Sequence, residues 1–506
     1  MLKSKIQLVP FVLIASFVNF LFFHYPFFKY VFTLLDYTSF SGISLIISLV
    51  IAILIANAFV LYLIFFLSRL VGKIVLALVF IINAIVAYFV NTYHVIIDIT
   101  MIGNILNTDY EEASSFFSFK LIVYLIVLGI IPIFFIIKLT ILKETLKRFL
   151  INFSFTFLFL VIFVFINGGN WRWIDQNSTK LGALAMPWSY IVNTSRFYIY
   201  KNKENEKEIL LPDAKIKNEV KSIAILVIGE SARSKNFSLY GYEKRTNPLL
   251  AKVKNLHCFD ATSCATYTTA GVRCILEHTN SGKLYEVLPN YLFRNNVEVI
   301  WRTTNWGEPP IHIKNFFRKE DLINRCEEQE CHYDEILLKG LKEQILASKK
   351  DKILIILHTS TSHGPSYNTK YPPKFEKFTP VCKSVELGEC TQEELINAYD
   401  NTIVYTDYIL AHLINDLQDL QEYKSMMLYV SDHGESLGEN NLYMHGIPAS
   451  FAPREQLEIP FIVWLSDDYK KLKLNQTLSQ NHVFHSILNF LAVESPIYDE
   501  NMNIFK

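Results

Sequence analysis

The sequence Ile223-Ala224-Ile225-Leu226-Val227-Ile228-Gly229-Glu230-Ser231 decides the fold of the carboxyl-terminal half. Its apolar run predicts a buried strand that ends in a carboxylate. Two later runs repeat the pattern: Ile353–Leu357 precedes His358, and Met426–Val430 precedes Ser431-Asp432-His433. Such strands, alternating with helical stretches, predict an α/β domain with helices on both faces of a mainly parallel sheet. Because open sheets of this kind bind ligands at the carboxyl ends of their strands, we expect a site there.

Side chains of the types that bind metals follow these strands: Glu230, Asp432 and His433. They suit a catalytic zinc ion. The stretch Ser263–Cys274 adds a cluster of hydroxyl groups. A threonine hydroxyl becomes a nucleophile when a base or a metal removes its proton. We predict Thr268 as the nucleophile and a further oxygen ligand of the metal, and spacing leaves Thr266 and Thr269 as alternatives.

Two more histidines lie in short loops of the same half of the chain. His363 stands in Ser362-His363-Gly364-Pro365, and His445 stands in Tyr443-Met444-His445-Gly446. Each has three candidate roles: a general acid, a contact to phosphate, or a ligand of a second metal.

The first third of the chain contains long uncharged apolar runs instead of short apolar strands. A bilayer core needs about 20 apolar residues in a helix. Five uncharged runs lie near that length: Leu8–Phe23, Ile43–Leu67, Ile74–Val90, Leu121–Ile137 and Phe149–Ile166. They predict a five-helix transmembrane domain over residues 1–167. The alternative for the first run is a cleaved signal peptide, which the absence of a small-residue cleavage pattern disfavours.

The remaining boundaries follow from changes in composition. We predict a helical loop outside the membrane at residues 91–118, an aromatic interfacial connector at 168–220 and a catalytic domain at 221–506. If the amino terminus is cytoplasmic, the short inner connections hold eight lysines and arginines and the outer ones hold two. This bias orients an inner-membrane protein with its amino terminus in the cytoplasm and its catalytic domain in the periplasm.

The cysteines are consistent with that orientation, since all seven lie in the carboxyl-terminal half. Six of them form close pairs: Cys264 with Cys274, Cys326 with Cys331, and Cys382 with Cys390. Short loops of this kind suit disulfides in an oxidising compartment. No pair has the CxxC spacing of a zinc ribbon, and Cys258 is left over. The net charge of +0 gives no case for nucleic acid.

Polar residues recur at every fourth position within the loop at 91–118. Asn104, Thr108 and Glu112 would share one face of a helix. That face at the membrane surface could receive a cationic lipid head group. The alternative is a solvated helix that lies on the bilayer.

Several motifs in order along the chain resemble those of one enzyme family. They are Gly229-Glu230-Ser231-Ala232-Arg233, Tyr240-Gly241-Tyr242, Thr246-Asn247-Pro248, Cys264 to Cys274, Ser362-His363-Gly364-Pro365, Tyr371-Pro372 and Ser431-Asp432-His433-Gly434-Glu435-Ser436. The chain resembles the bacterial phosphoethanolamine transferases, which modify lipid A and lipooligosaccharide and include the colistin-resistance transferases.

The resemblance implies five membrane helices and a periplasmic domain of the alkaline phosphatase and sulfatase type. It also assigns roles to residues. Thr268 matches the nucleophile, and the matches to the zinc ligands are Glu230, Thr268, Asp432 and His433. His363 and His445 match substrate or second-metal histidines, and Asn104, Thr108 and Glu112 match residues that hold the lipid head group. The three cysteine pairs match disulfides. One zinc ion is expected to bind tightly, and a second remains open.

Two departures from the family pattern concern the acceptor side of the site. Arg273 stands where the family often has proline, and Thr303-Thr304-Asn305-Trp306 replaces the usual Asp-Asn pattern.

The expected function is transfer of phosphoethanolamine from phosphatidylethanolamine to a phosphate or sugar hydroxyl of lipid A or lipooligosaccharide. The reaction would pass through a phosphoethanolamine-threonine intermediate and confer resistance to polymyxin. The alternatives are a phosphoglycerol transferase, a membrane-anchored phosphatase or sulfatase-type hydrolase, and a non-enzymatic membrane scaffold. Nothing in the sequence indicates oligomerisation, so a monomer is expected.

Overall fold

A computed structural model of the protein describes residues 5–108, 110–204, 208–323, 329–467, 469–474 and 476–506. The chain divides into two compact units, Met1–Lys201 and Asn202–Lys506. The division falls within the predicted connector at 168–220, whose bounds stay a prediction.

The first unit is almost entirely helical. Its helices are α1 (Leu8–Phe23), α2 (Tyr25–Leu34), α3 (Phe40–Leu67), α4 (Arg69–Tyr93), α5 (Ile99–Asn107), α6 (Tyr110–Ser115), α7 (Phe119–Lys138), α8 (Leu146–Ile166), α9 (Gly168–Gln176), α10 (Ser178–Leu184) and α11 (Trp188–Glu204). Two short segments, Lys5–Ile6 and Thr140–Ile141, pair in parallel.

Four helices of the described residues are long and apolar enough to cross a membrane: α3, α4, α7 and α8. The predicted first span, Leu8–Phe23, coincides with α1, and α1 meets α2 at an angle of 64°. Five crossings result only if this bent pair counts as one. Pro26 lies in the first turn of α2, where its missing N–H suits the start of a new helix.

Hydroxyl side chains set the starts of the four long helices. Ser39, Ser68, Ser118 and Thr145 each accept a hydrogen bond from a backbone N–H three residues later. Such caps satisfy amide groups that the first helical turn leaves without partners. The caps explain why these helices begin two to five residues before the uncharged runs do.

The second unit is built on one eight-stranded sheet. In chain order its strands are β1 (Ser222–Gly229), β2 (Leu256–Thr262), β3 (Glu298–Thr303), β4 (Asn315–Phe317), β5 (Lys352–His358), β6 (Lys424–Ser431), β7 (Glu458–Leu465) and β8 (Leu478–Ser479). Their order in space is β8-β2-β7-β6-β1-β5-β3-β4. Smaller two-stranded pairs join Lys215–Ile216 with Val493–Glu494, and Ser436–Leu437 with Tyr443–Met444.

The sheet is mixed. Strands β4, β3, β5, β1 and β6 are mutually parallel, which agrees with the sequence pattern. Strand β7 runs antiparallel to both of its neighbours, β6 and β2. Strands β2 and β8 pair in parallel, so among the described strands of this sheet β7 is the one that runs against the others.

Helices pack around this sheet. They are α12 (Thr268–Leu276), α13 (Leu288–Arg294), α14 (Lys319–Ile323), α15 (Leu341–Leu346), α16 (Gln392–Gln418) and α17 (His482–Phe490). Every residue of β1 is buried, and so is every residue of β5. A core strand covered on both faces needs a continuous apolar run, and this need explains the stretch from Ile223 to Ile228.

Within the described residues, disulfides join Cys264 to Cys274 and Cys382 to Cys390. Cys326 lies outside the described residues, so its pairing with Cys331 stays a prediction. Cys258 is a free cysteine on β2, and burial raises the pKa of its thiol to about 11. A thiol with so high a pKa is unreactive at neutral pH.

Candidate active site

Glu230 directly follows β1 at the carboxyl edge of the sheet. The parallel register pairs Gly229 with Ser431, which brings Glu230 and Asp432 to the same edge. Ser231 has a left-handed backbone with a φ of 52°. This sparsely populated conformation needs support. The support is a hydrogen bond from Ser231 N to Asp432 Oδ1 at 3.0 Å, and one from Ser231 Oγ to Glu230 Oε1 at 2.8 Å.

Asp432 and His433 follow β6 and are fully buried. Asp432 Oδ1 accepts hydrogen bonds from the backbone amides of Ser231 and His433, whereas Asp432 Oδ2 has no hydrogen-bond partner among the described residues. His433 Nδ1 lies 2.8 Å from the Gly434 carbonyl, to which it must donate. In the neutral ring Nε2 is then left with its lone pair, as a metal ligand requires.

Thr268 is the first residue of α12 and is 3 % exposed. Its Oγ1 donates to Glu230 Oε2 at 3.3 Å and lies 3.4 Å from His433 Nε2. Thr266 points elsewhere, because its hydroxyl donates to the Ile447 carbonyl at 2.6 Å. Among the alternatives that the spacing left open, this geometry favours Thr268 over Thr266.

The two loop histidines reach the same cluster. His363 Nδ1 lies 2.9 Å from Glu230 Oε1. His445 Nδ1 lies 3.2 Å from Glu435 Oε2, and its ring centroid lies 4.2 Å from that of His433. Each of Glu230, His433 and His445 offers one ligand atom within 4.8 Å of the other two. These three residues could hold a metal ion, so His445 joins the candidate ligands predicted from the strand ends.

Electrostatics indicate that this cluster is built for a cation. Burial would raise the pKa of Glu230, but His363 and His433 hold it well below its usual range. Burial, together with the Glu230 charge, raises the pKa of Asp432. Burial lowers the pKa of His433, but Asp432 and Glu230 outweigh it and raise the pKa to about 9. The proton on Asp432 and the positive charge of His433 thus offset negative charge that a divalent ion would otherwise offset.

Asn305 also contacts the cluster, although no role was predicted for it. Asn305 Nδ2 donates to Glu230 Oε2 at 2.7 Å and to the Thr359 carbonyl at 2.9 Å. Two residues later, Gly307 has a φ of 96°, and a Cβ there would lie 3.1 Å from Thr268 Cγ2. The segment after β3 therefore packs against the predicted nucleophile. The position of Asn305 just beyond a strand end was the available signal.

Glu435 is a second residue without a predicted role. It is fully buried, and its Oε1 has no hydrogen-bond partner in the described part of the chain. Its place two residues after His433 in the quoted motif was a signal.

Arg233 is buried as well, and its guanidinium donates to Glu439 Oε1 at 2.6 Å. Arg233 therefore stabilises the segment that follows β1 through an ion pair with Glu439.

The residues predicted to hold a lipid head group lie in the first unit. Asn104 is in α5, and Thr108 ends that helix by donating from N and Oγ1 to the Asn104 carbonyl, both at 2.8 Å. The next helix, α6, begins at Tyr110. The expected single helical face is therefore interrupted at Thr108. The side chain of Glu112 lies outside the described residues, and the shared head-group role stays a prediction.

Comparison with known proteins agrees with this architecture. The Sulfatase family matches residues 222–493, and the family "Phosphoethanolamine transferase EptA/EptB" matches residues 53–201. In structure, the chain is similar to the integral membrane lipooligosaccharide phosphoethanolamine transferase A of Neisseria meningitidis. The TM-score is 0.90 and the identity 24%, over 99% of both chains. The C-terminal periplasmic domain of phosphoethanolamine transferase EptC from Campylobacter jejuni matches 59% of this chain and 97% of its own, at 35% identity and a TM-score of 0.53.

Sequence relatives span both units. Phosphoethanolamine transferase EptA of Helicobacter pylori is 38% identical over 448 residues, which cover 85% of this chain and 84% of the relative. The EptA of Escherichia coli K12 is 31% identical and covers 98% of this chain and 96% of its own. With a membrane unit joined to a sulfatase-like unit and identity at this level along both, the chain belongs to the phosphoethanolamine transferases of the alkaline phosphatase and sulfatase superfamily.

Proposed function

We propose that the protein transfers phosphoethanolamine from phosphatidylethanolamine to lipid A or lipooligosaccharide, with Thr268 as the covalent carrier. One observation carries the proposal. In a chain of this family, the Thr268 hydroxyl lies within hydrogen-bonding range of both Glu230 and His433, at 3.3 Å and 3.4 Å. A buried hydroxyl among metal-binding side chains suits nucleophilic catalysis better than structural support.

The first step forms a bond between Thr268 Oγ1 and the donor phosphorus and breaks the bond from phosphorus to diacylglycerol. Thr268 already donates to Glu230, so its proton has an acceptor in the site. The diacylglycerol oxygen needs a proton as it leaves, and His363 and His445 are the candidate general acids. In the second step an acceptor oxygen attacks phosphorus and the bond from phosphorus to Thr268 Oγ1 breaks. The acceptor hydroxyl passes its proton to the histidine that served as the acid, and Glu230 returns a proton to Thr268.

The metal is proposed to be zinc. The site suits a divalent ion because Asp432 Oδ2 is buried without a hydrogen-bond partner among the described residues and lies 3.4 Å from His433 Nε2. Glu230, Thr268, Asp432 and His433 would hold the ion, and His445 and His363 are the candidates for a second one. A bound ion would supply Lewis-acid polarisation of a phosphoryl oxygen and lower the proton affinity of a coordinated hydroxyl.

Placement in the cell is part of the proposal. The bias of lysine and arginine supports a cytoplasmic amino terminus, and the disulfides support a periplasmic second unit. Asn104, Thr108 and Glu112 are proposed to hold the ethanolamine head group, and the protein is proposed to act as a monomer. Adding a cationic group to a lipid phosphate lowers the negative surface charge, so cells should bind polymyxin less.

The test is mass spectrometry of the purified, zinc-loaded protein after incubation with phosphatidylethanolamine. A phosphoethanolamine adduct on Thr268 is expected. Thr268→Ala should abolish it, and Thr269→Ala is the matched control that should retain it. No adduct in the metal-replete protein would contradict the proposal.

The same experiment separates the alternatives. Adding lipid A should discharge the adduct and yield lipid A that carries phosphoethanolamine. Release of free phosphoethanolamine in the presence of lipid A would instead indicate a hydrolase. Labelling by phosphatidylglycerol, with none by phosphatidylethanolamine, would indicate a phosphoglycerol transferase.

A further inference from the structure

Gln480 joins the two halves of the candidate site, although it lies far from both in sequence. It stands between β8 and α17 and is fully buried. Its Nε2 donates to the Ser431 carbonyl at 2.9 Å and to the Asp432 carbonyl at 2.6 Å. Its Oε1 accepts from the backbone N–H of Cys264 at 3.0 Å. One side chain thus connects the end of β6 to the loop that leads into Thr268.

The chemistry of these contacts requires an amide. Two backbone carbonyls need donors, and one backbone N–H needs an acceptor. Glutamine supplies both from one planar group. A glutamate of the same size would turn an acceptor toward two carbonyls. A methionine would leave two buried carbonyls and the part-buried N–H of Cys264 without these partners, at a cost of about 1–3 kcal/mol for each buried group.

Neighbouring contacts converge on the same junction. Asn481 Nδ2 donates to the Cys274 carbonyl at 3.4 Å, so consecutive residues contact both cysteines of the disulfide. Helix α12 also approaches closely, because a Cβ on Gly271 would lie 2.2 Å from the Asp432 carbonyl oxygen. That oxygen is the one that accepts from Gln480. Gln480 and helix α12 therefore both contact the Asp432 carbonyl group, and these contacts set the distance between Thr268 and the residues after β6.

We propose that Gln480 is a positioning residue that holds the Thr268 loop in register with Asp432 and His433. The inference rests on the proposed function for its catalytic consequence, though not for its structural one. Residues that hydrogen-bond to metal ligands typically contribute 10- to 100-fold to metal affinity or activity. Gln480 is not a predicted ligand of the metal, but it holds the residues that are. Its loss should therefore weaken zinc binding and slow adduct formation together.

The test uses the full-length protein and the variants Gln480→Glu and Gln480→Met. The control is Asn503→Leu, which removes another buried amide whose bonds join only Phe505 N and O. Zinc affinity is measured by chelator competition, and the single-turnover rate of Thr268 adduct formation is measured against phosphatidylethanolamine concentration. Hydrogen exchange of the Cys264 amide is measured in parallel.

For both Gln480 variants we expect a 10- to 100-fold loss in zinc affinity and in the maximal rate, with the half-saturating lipid concentration unchanged within about twofold. Exchange at Cys264 should accelerate most in Gln480→Met, which removes the acceptor of that amide. Asn503→Leu should lose stability without either effect. If the Gln480 variants matched Asn503→Leu in zinc affinity, rate and Cys264 exchange, the proposal would be overturned.

Two further readouts keep the test decisive. If the wild type forms no adduct, the proposed function fails, whereas zinc affinity and amide exchange still test Gln480. If neither variant folds, exchange in the wild type remains informative. The Cys264 amide should then be as slow as the amides of β1, and fast exchange there would overturn the proposal.

Discussion

Asn305 donates a 2.7 Å hydrogen bond to the carboxylate of Glu230. His363 contacts the other oxygen of that carboxylate at 2.9 Å. The two contacts orient Glu230 from opposite oxygens. Hydrogen bonds to charged groups contribute about 1.5–3 kcal/mol, so Asn305→Ala should slow adduct formation roughly 10- to 100-fold. Single-turnover kinetics would measure the effect. A rate within twofold of the wild type would show that Asn305 does not orient Glu230.

Asp334 fixes both loops that deliver these contacts. It is buried and accepts hydrogen bonds from the hydroxyl groups of Thr304 and Thr361 and from Ser360 N at 2.8 Å. Asp334→Ala leaves these donors without a partner and should reduce the transfer rate at least about tenfold, by way of Asn305 and His363. The exposed Asp419→Ala is the control and should change little. Equal rates in both variants would contradict this role.

Gly271 allows α12 to approach Asp432. An added methyl group would lie 2.2 Å from the Asp432 carbonyl oxygen, a backbone atom that cannot move freely. Gly271→Ala should therefore displace Thr268 and reduce the transfer rate at least about tenfold, even though alanine favours helices by about 1 kcal/mol. Gly182→Ala on α10 is the matched control, because no atom lies within 4 Å of the added group. It should retain activity, and full activity in Gly271→Ala would count against the close approach.

Metal removal should lower the melting temperature of the second unit. A ligand at 100 times its dissociation constant stabilises the folded state by about 2.7 kcal/mol. Chelation should reverse this, and added zinc should restore it. Asp432→Asn should respond to neither treatment, whereas His412→Ala, on the exposed side of α16, should respond like the wild type. An equal response of Asp432→Asn would place the metal elsewhere.

Asp407 gives a pH-dependent prediction away from the site. It accepts from Leu249 N and Leu250 N, both at 2.9 Å, and burial raises its pKa from 3.8 to about 6. Its contribution to stability is therefore complete below pH 4 and is lost as the pH rises through about 6. Relative to Asp407→Asn, the wild type should lose about 2 kcal/mol between pH 4 and 7. Thermal unfolding of both proteins across that range would measure it, and parallel curves would contradict it.

The strand ends could be predicted because a buried strand has a continuous apolar signature, and Glu230, Asp432 and His433 directly follow such runs. Asn305 lies two residues beyond the end of β3 and gave a weaker signal of the same kind, whereas Gln480 could not be predicted in this way. An amide side chain carries no periodic signal, and its contacts depend on loops that are distant in sequence. The direction of β7 was equally hidden, because an apolar run is the same in parallel and antiparallel strands.

In the membrane unit, hydropathy located the long helices, while their starts depended on single hydroxyl caps such as Ser68 and Thr145. The bend after α1 was missed. The predicted run ended at Phe23, and Pro26 just beyond it marks the start of a new helix, but a proline does not reveal the angle between two helices. The interruption at Thr108 was missed for a similar reason, since a four-residue repeat is read as a helix even where the backbone leaves it.

The length of α1 has a consequence for the surrounding lipid. Its 16 residues extend about 24 Å, whereas the hydrocarbon core of a bilayer is about 30 Å thick. The neighbouring α3 has 28 residues and exceeds that thickness. If α1 alone crosses the membrane, the lipids beside it must be compressed, whereas a crossing completed by the bent α2 avoids that compression. In the first case, hydrophobic mismatch would make bilayer thickness act on this enzyme.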